Sequence, residues 1–208
     1  MVRALLRLFF LLVLVLVLLA AWVGVRGWLA KDHLETSADL VQRLQVQVEQ
    51  GNTASAQRTL RALQNHTASA VRLTGDVAWR GAGHLPLVGG DLQAVHAVAV
   101  TGHTLSTRAL PPLTAAAADI NALRAAGSVT PAQALAAARR LKAPLATAKA
   151  GVDQARSEIH AVDPAGLTGP IRTGVRQLSD RLDQLSGELT SLIAADSAAL
   201  RVAGALGG

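Results

Sequence analysis

An unbroken apolar run of about 18 residues, Leu8–Val25, constrains this chain more than any other feature. A hydrocarbon core takes about 20 apolar residues to cross, and backbone groups inside it must be hydrogen-bonded within the segment, so the run predicts a transmembrane helix. Arg3 and Arg7 precede it, and Trp22 and Trp28 lie near its far end, where interfacial aromatic residues belong. Basic residues on the short leading side predict a cytoplasmic N-terminus.

The predicted topology is that of a single-pass protein of the cell membrane. Residues 1–28 form a cytoplasmic tip and anchor, residues 8–25 contact the lipid bilayer, and residues 29–208 lie outside the cytoplasm. A cleaved signal peptide is the alternative interpretation. Its apolar region would normally span about 7–15 residues and end in an A-x-A-like site. The run here is longer, and Leu-Ala-Ala-Trp at 19–22 is a poor cleavage site, which favours the anchor.

Charge and aromatic content exclude several classes of function for residues 29–208. Removing the anchor-flanking Arg3, Arg7 and Arg26 from the 20 basic residues leaves 17, against 14 acidic ones, so the excess of positive charge is small. Trp79 is the one aromatic residue outside the anchor region. Nucleic-acid binding needs a basic stripe with stacking residues or a reading helix, so no nucleic-acid partner is expected. The chain has no cysteine, which excludes disulfides and thiol chemistry.

Beyond the anchor, the sequence predicts an all-α chain arranged as an antiparallel helical bundle. Strand signals are nearly absent, whereas helix caps and breakers are plentiful. The first predicted helix continues from the anchor through Lys31–Gln50 and stops at Gly51-Asn52; the second runs from Thr53 to Thr74, and Asp76 opens a short helix after it. The third predicted helix is capped by Asp91, is bent or broken at Pro111-Pro112 and ends near Arg124. The fourth runs from Thr130-Pro131 to about Val162, and the fifth from Pro170 to about Val202.

Apolar residues recur at steps of three and four, which predicts coiled-coil-like seams between the helices. The most regular seam lies in the fifth helix and comprises Ile171, Val175, Leu178, Leu182, Leu185, Leu189 and Leu192. The second helix has a similar row at Ala56, Leu60, Leu63, Thr67 and Ala70, and the fourth at Ala138, Leu141, Leu145, Ala148, Val152, Ala155, Ile159 and Val162. We interpret these seams as the core of one bundle; an intermolecular coiled coil using one of them is the alternative.

The most distinctive short motif is a membrane-proximal or packing motif that comprises Trp79, Arg80, Leu85, Pro86 and Gly89. Its tryptophan either plugs the open end of the bundle, which we favour, or rests in the lipid headgroup layer.

Nothing else in the sequence predicts a catalytic, cofactor-binding or metal site. His96 and His103 share a helix face, but metal pairs on a helix are usually three or four residues apart, so we expect solvated or seam-flanking side chains. Nucleophile-elbow, dinucleotide-binding and P-loop motifs are absent from the sequence.

These features together give the chain a resemblance to one family. The anchor, the stretch 72–95 with its W-R-x-x-x-x-L-P-x-x-G core, the Ala-Leu-Pro-Pro-Leu at 109–113 and the final leucine heptads resemble the N-terminal helical region of the actinobacterial membrane-anchored domain-of-unknown-function 4012 family. The resemblance spans essentially the whole chain. It implies that a larger globular domain follows the helical region, and it implies no reaction, cofactor or catalytic residue.

The predicted function is therefore a non-catalytic helical stalk or scaffold of the cell envelope, with an envelope protein or wall polymer as its partner. Two alternatives remain from other classes: a ligand-binding sensor ectodomain, and an accessory part of an envelope enzyme. A sensor would need a second membrane pass, and Asp196 and Arg201 interrupt the last apolar stretch. The oligomeric state is left open.

Overall fold

A computed structural model describes residues 39–83, 89–128 and 130–206, which are helical and include no strand. The predicted anchor and its bilayer contact fall in residues 1–38, outside the described part. None of the helices in the described ranges is long and apolar enough to cross a bilayer. The helices are α1 (39–49), α2 (Thr53–Thr74), α3 (Val77–Ala82), α4 (Gly89–Thr104), α5 (Leu110–Ala125), α6 (Pro131–His160) and α7 (Gly169–Leu206), with a π-helical turn at Leu105–Ala109 and a 3₁₀ turn at Pro164–Gly166.

Most helix boundaries follow from local capping chemistry, as the sequence predicted. Gly51 closes α1 with a φ of 71°, a left-handed conformation that glycine adopts without steric cost. Asn52 caps α2 by accepting a hydrogen bond from the backbone N–H of Ser55. Thr130 and Gln133 form a reciprocal capping box at the start of α6. These four residues act on their near neighbours in the chain, which is why the boundaries can be predicted locally.

The prediction that Asp91 caps the third helix is wrong. That helix begins at Gly89, and Asp91 lies in its first turn. The Asp91 carboxylate instead accepts hydrogen bonds from the backbone N–H and the hydroxyl of Thr168, at 2.8 and 2.7 Å. A contact between residues so far apart in the chain leaves no local signal.

The predicted break at Pro111-Pro112 takes the form of a π-helical turn directly before the prolines. Proline has no N–H, so Pro111 and Pro112 cannot donate to the carbonyls of Thr107 and Arg108. The i→i−4 ladder is interrupted there, and the backbone widens at Leu105–Ala109 before it continues as α5.

Helix α6 is the centre of the bundle, because it packs against α4, the π turn, α5 and α7. The residues that it buries most completely are Ala148, Val152, Ala155 and Ile159, all members of the predicted seam. Gly151 allows the close approach to the π turn: a Cβ there would lie 2.9 Å from the backbone nitrogen of Ala109.

Polar contacts between neighbouring helices show that the long helices run antiparallel. Along α6 and α7, Asp153 pairs with Ser186 while Arg156 pairs with Asp183, so the numbering rises on one helix as it falls on the other. The contacts that α4 and the π turn after it make with α2 and with α6 follow the same rule. The described helices therefore form an antiparallel bundle.

The seam of α7 is buried over most, but not all, of its predicted length. Val175, Leu182 and Leu189 are buried, and the seam residues that are partly buried against the same core are Ile171, Leu178 and Leu185. Leu192, predicted to continue the seam, is 55% exposed, whereas Ser186, which the pattern placed off the seam, is only 7% exposed. A strict seven-residue repeat drifts by about 20° per heptad on a straight helix, which turns the last leucine away from the core.

The difference between Leu182 and Leu192 predicts a difference in stability. Leu182 is 3% exposed, so Leu182→Ala should lower the free energy of unfolding by about 2–5 kcal/mol through lost apolar burial and the cavity left behind. Urea unfolding followed by circular dichroism measures this change. Leu192→Ala makes the same substitution on the same helix at an exposed site and should change stability by less than about 0.5 kcal/mol.

Equal effects of the two substitutions would contradict an intramolecular core along α7. The same experiment addresses the intermolecular alternative, because a coil between chains would make the melting temperature rise with protein concentration. We expect a melting temperature that does not depend on concentration.

Candidate functional site

Trp79 is a packing residue between α3 and α4. Asp76 caps α3 by accepting a hydrogen bond from the backbone N–H of Trp79. The indole is 3% exposed, and its Nε1 donates to the carbonyl oxygen of Leu92 at 3.0 Å. Trp79 is therefore buried between two helices, and its predicted position at the open end of the bundle stays a prediction.

The remainder of the tryptophan motif is described in part. Gly89 is buried where α4 begins, and a Cβ there would clash with the carbonyl oxygen of Gly83. Gln93 strengthens the same contact, because its Nε2 donates to that oxygen at 2.8 Å. The side chain of Arg80 and the residues Leu85 and Pro86 lie outside the described part of the chain.

The interface between α2 and α4 contains a buried polar layer. Thr67 and Thr74 on α2 are seven residues apart, as are His103 and His96 on α4. The two helices are antiparallel, so Thr74 Oγ1 lies 3.0 Å from His96 Nδ1 and Thr67 Oγ1 lies 3.4 Å from His103 Nδ1. Thr74 Oγ1 also lies 2.8 Å from the carbonyl oxygen of Ala70, to which it donates.

The π turn adds the hydroxyl and the backbone carbonyl of Ser106 to this layer. Ser106 is fully buried, its Oγ lies 3.0 Å from Thr67 Oγ1, and its carbonyl oxygen accepts a hydrogen bond from Gln64. The signal that predicts this layer is the matching seven-residue spacing of the threonine and histidine pairs. The sequence analysis considered the histidines alone and missed it.

Glu158 lies at the interface between α4 and α6. Its Oε1 accepts two hydrogen bonds, from Thr104 Oγ1 at 2.9 Å and from Gln154 Nε2 at 3.0 Å. Gln154 is oriented in turn by Arg108, which donates to its Oε1 at 2.5 Å. The other carboxylate oxygen, Oε2, is buried without a hydrogen-bond partner, and so is the hydroxyl of Thr101.

A third polar cluster joins α6 to α7. Lys149 Nζ and Ser186 Oγ each donate to a different oxygen of Asp153, both at 2.6 Å. Arg156 pairs with Asp183, and His160 Nε2 lies 3.3 Å from the same carboxylate. The hydrogen bonds from Lys149 and Ser186 lower the pKa of Asp153, outweighing the opposite effect of partial burial. Seam leucines and polar pairs therefore hold the same two helices together.

Across the described residues, no group of three or more histidine, aspartate and glutamate side chains comes together in a way that would hold a metal ion. The described histidines and carboxylates are distributed over several interfaces.

No family model, no curated protein and no solved structure matches this chain. The resemblance drawn from the tryptophan motif therefore stays a prediction.

The contact at Gly89 predicts a substitution effect. In Gly89→Ala the added Cβ meets a backbone oxygen that cannot move independently, so the α3–α4 junction must shift, at a cost of about 1–3 kcal/mol in unfolding free energy. Gly187→Ala is the matched control in α7, where a Cβ meets nothing within 4 Å. Alanine is the better helix former, so this control should stabilise the protein by about 0.5–1 kcal/mol. Chemical unfolding of both variants distinguishes these outcomes, and a stabilised Gly89→Ala would contradict the close contact.

The lowered pKa of Asp153 predicts acid sensitivity. A carboxylate with a lower pKa in the folded state contributes stability above its unfolded pKa of about 3.9, and this contribution is lost as the pH falls through the folded-state value. The free energy of unfolding should therefore decline below about pH 4, and less steeply in Asp153→Asn than in wild type. Urea titrations at several pH values measure the slope. Asp180→Asn, which removes an exposed carboxylate of the same bundle, is the matched control substitution.

Proposed function

We propose that this chain is a membrane-anchored, non-catalytic helical stalk or scaffold of the cell envelope. Residues 8–25 would hold it in the bilayer, and the bundle would stand outside the cytoplasm. Its distal end would present an envelope protein, a wall polymer or a following domain away from the membrane.

The observation that carries this proposal is the long hairpin of α6 and α7. These helices have 30 and 38 residues, or about 45 and 57 Å at 1.5 Å per residue. Buried apolar residues and the clusters at Asp153 and Asp183 join them at several levels. A helix pair tied along its length resists bending better than a single helix, which suits a spacer.

The path of the chain supports an upright orientation. The start of α4 and the turn between α6 and α7 share one end of the bundle, since Asp91 binds Thr168 and a Cβ on Gly90 would lie 2.7 Å from Gly166 O. The C-terminal end of α5 lies at the other end, where Asn121 donates to the carbonyl of Val48. With α1 leading away from an anchor, the first end would be proximal to the membrane and the second distal.

A ligand-binding ectodomain is the second candidate function. The bundle buries threonine and serine side chains and partly buries His96, His103 and Glu158, and each of these groups must be hydrogen-bonded to offset its desolvation. The partnerless Thr101 and Glu158 oxygens are the specific observation in favour of this candidate.

Single cysteines in this cysteine-free chain test both the topology and the orientation. Ser128→Cys lies in the loop between α5 and α6, and Ala165→Cys lies in the turn at the opposite end of α6. A membrane-impermeant thiol reagent applied to intact protoplasts should label both, but not Val2→Cys in the cytoplasmic tip. With fluorescent labels and a quencher on the lipid headgroups, Ala165→Cys should be quenched strongly and Ser128→Cys, about 45 Å farther out, hardly at all.

Each arm of this experiment can contradict the proposal. Labelling of Val2→Cys with protection of the other two positions would reverse the topology. Equal quenching at positions 128 and 165 would mean that the bundle lies flat on the membrane and does not act as an upright stalk. The double substitution Leu14→Arg and Leu16→Arg is a control for anchoring, because it places two charges in the middle of the apolar run 8–25. Each charge costs about 2.5–3.5 kcal/mol in the bilayer, so the variant should be released from the membrane fraction.

A further inference from the structure

Positive charge is concentrated towards one end of the bundle. The basic residues between Asp119 and Asp153 are Arg124, Arg139, Arg140, Lys142 and Lys149, and no acidic residue lies in this interval. Removing these five from the 17 basic residues of positions 29–208 leaves 12, against 14 acidic ones. The whole excess of positive charge therefore belongs to the segment 120–152, which comprises the C-terminal end of α5, the loop after it and most of α6. The loop is at the end that the stalk proposal places far from the membrane.

Three of these cations form a basic patch on α6, which comprises Arg139, Arg140 and Lys142. Their side chains are exposed, and among the described residues none of the three forms an ion pair. Farther along the same helix Lys149 is neutralised, because it pairs with Asp153. The basic patch therefore ends where the ion pairs of α6 begin, and its three charges are available to a partner.

The surface around the basic patch is formed by short side chains. The exposed residues at helical spacing on this side of α6 are all alanines, namely Ala132, Ala136, Ala143 and Ala146. A cleft of about 260 Å³ adjoins the patch between α5 and α6, with Arg140 and Asp119 in its lining. Interfaces between folded proteins depend on buried anchors, aromatic ones above all, and the segment 120–152 contains no aromatic residue. Solvated cations among alanines instead suit a flexible polymer that is bound through its charges.

We infer that the basic patch binds a linear phosphodiester polymer of the cell wall. A phosphodiester keeps one negative charge in each repeat, and neutral atoms separate one charge from the next. Successive residues of a helix point in different directions, so the three cations fan out along the solvent side of α6 and meet separate phosphates. The two guanidinium groups donate paired hydrogen bonds to phosphate oxygens, whereas the lysine contributes a point charge.

This inference rests on the proposed stalk function and names its partner. An upright bundle would carry the basic patch away from the membrane and into the wall. The anchor would hold the proximal end of the bundle in the bilayer, while the polymer would contact the distal part of α6. Because the cations stay exposed to solvent, each contact is weak and is screened by salt.

A titration of the full-length chain in a non-ionic detergent with fluorescently labelled poly(glycerol phosphate) tests the site. We expect saturable binding at low salt, and no binding of polyethylene glycol as the neutral polymer. Release of counterions from a single-stranded polyanion contributes about −0.7 per neutralised phosphate to the slope of log K against log salt, so three contacts predict a slope of about −2.

Two triple variants separate the basic patch from the net charge of the chain. Replacement of Arg139, Arg140 and Lys142 by glutamine should weaken binding about tenfold or more and flatten the salt dependence. The matched control replaces three exposed arginines near the opposite end of the bundle by glutamine, which changes the net charge equally and should leave binding close to wild type: Arg72, Arg176 and Arg181. Asp119→Asn removes the carboxylate that lines the cleft beside Arg140 and should strengthen binding. Circular dichroism spectra verify that each variant is folded.

Several outcomes would overturn the inference. They are absence of saturable binding at low salt, equal losses in the two triple variants, and weaker binding in Asp119→Asn. Tighter binding of poly-L-glutamate than of poly(glycerol phosphate) would also do so, because it would assign the basic patch to an acidic polypeptide.

Failure of this inference can be distinguished from failure of the stalk proposal. Binding in detergent does not depend on how the bundle is oriented, and the cysteine labels do not depend on the polymer. No binding by a chain that stands upright would refute the polymer alone. Binding by a chain with the reversed topology would refute the stalk, and with it the wall polymer as the occupant of the basic patch.

Discussion

The close approach of α6 to the π turn is the contact on which the rest of the bundle depends. It is possible because Gly151 has no side chain, so that the backbone of α6 lies directly against Arg108 and Ala109. Because the two backbones lie so close together, Val152 and the small residues around it are fully buried, and little space remains for larger side chains. The same approach brings Glu158 within reach of Thr104 and presents the opposite face of α6 to α7. The position of each long helix thus follows from how closely the central pair can pack.

Small residues also explain why so much of the interior is polar. A core built from alanine and glycine brings backbones together but buries little apolar area for each residue. Hydroxyl groups such as those of Thr67, Thr74 and Ser106 fit the same narrow space and hydrogen-bond to carbonyls of their own helix or to side chains across the interface. Their directional bonds select one register between α2 and α4, which alanine contacts alone would select only weakly. Among the residues that the structure describes, Glu158 and Thr101 are the exceptions, because each retains a buried atom without a partner.

Much of the helical architecture was predictable, and the reasons are local. Caps such as Gly51, Asn52 and Thr130 act on residues within one turn, and the apolar rows of α2 and α6 repeat at the helical period. The failures have physical causes as well. The prediction of Asp91 as a cap failed because its hydrogen-bond partner, Thr168, is remote in sequence. The prediction of Leu192 as a buried seam residue failed because a seven-residue repeat slowly leaves the buried face of a straight helix. In the tryptophan motif, the acceptor of the Trp79 indole, the carbonyl of Leu92, was not predicted, because no local signal links the two residues.

The sequence by itself determined the helical class, most helix boundaries and the small, buried faces, since these depend on backbone preferences and on a period that can be read along one helix. Only the tertiary structure decided which polar groups meet. The pairing of Thr74 with His96, the orientation of Glu158 by Thr104 and the two buried atoms without partners all depend on the register between helices. Register is set by interhelical packing at positions such as Gly151, where the backbones approach closely. The sequence of a single helix contains no information about the position of its neighbour along the helix axis.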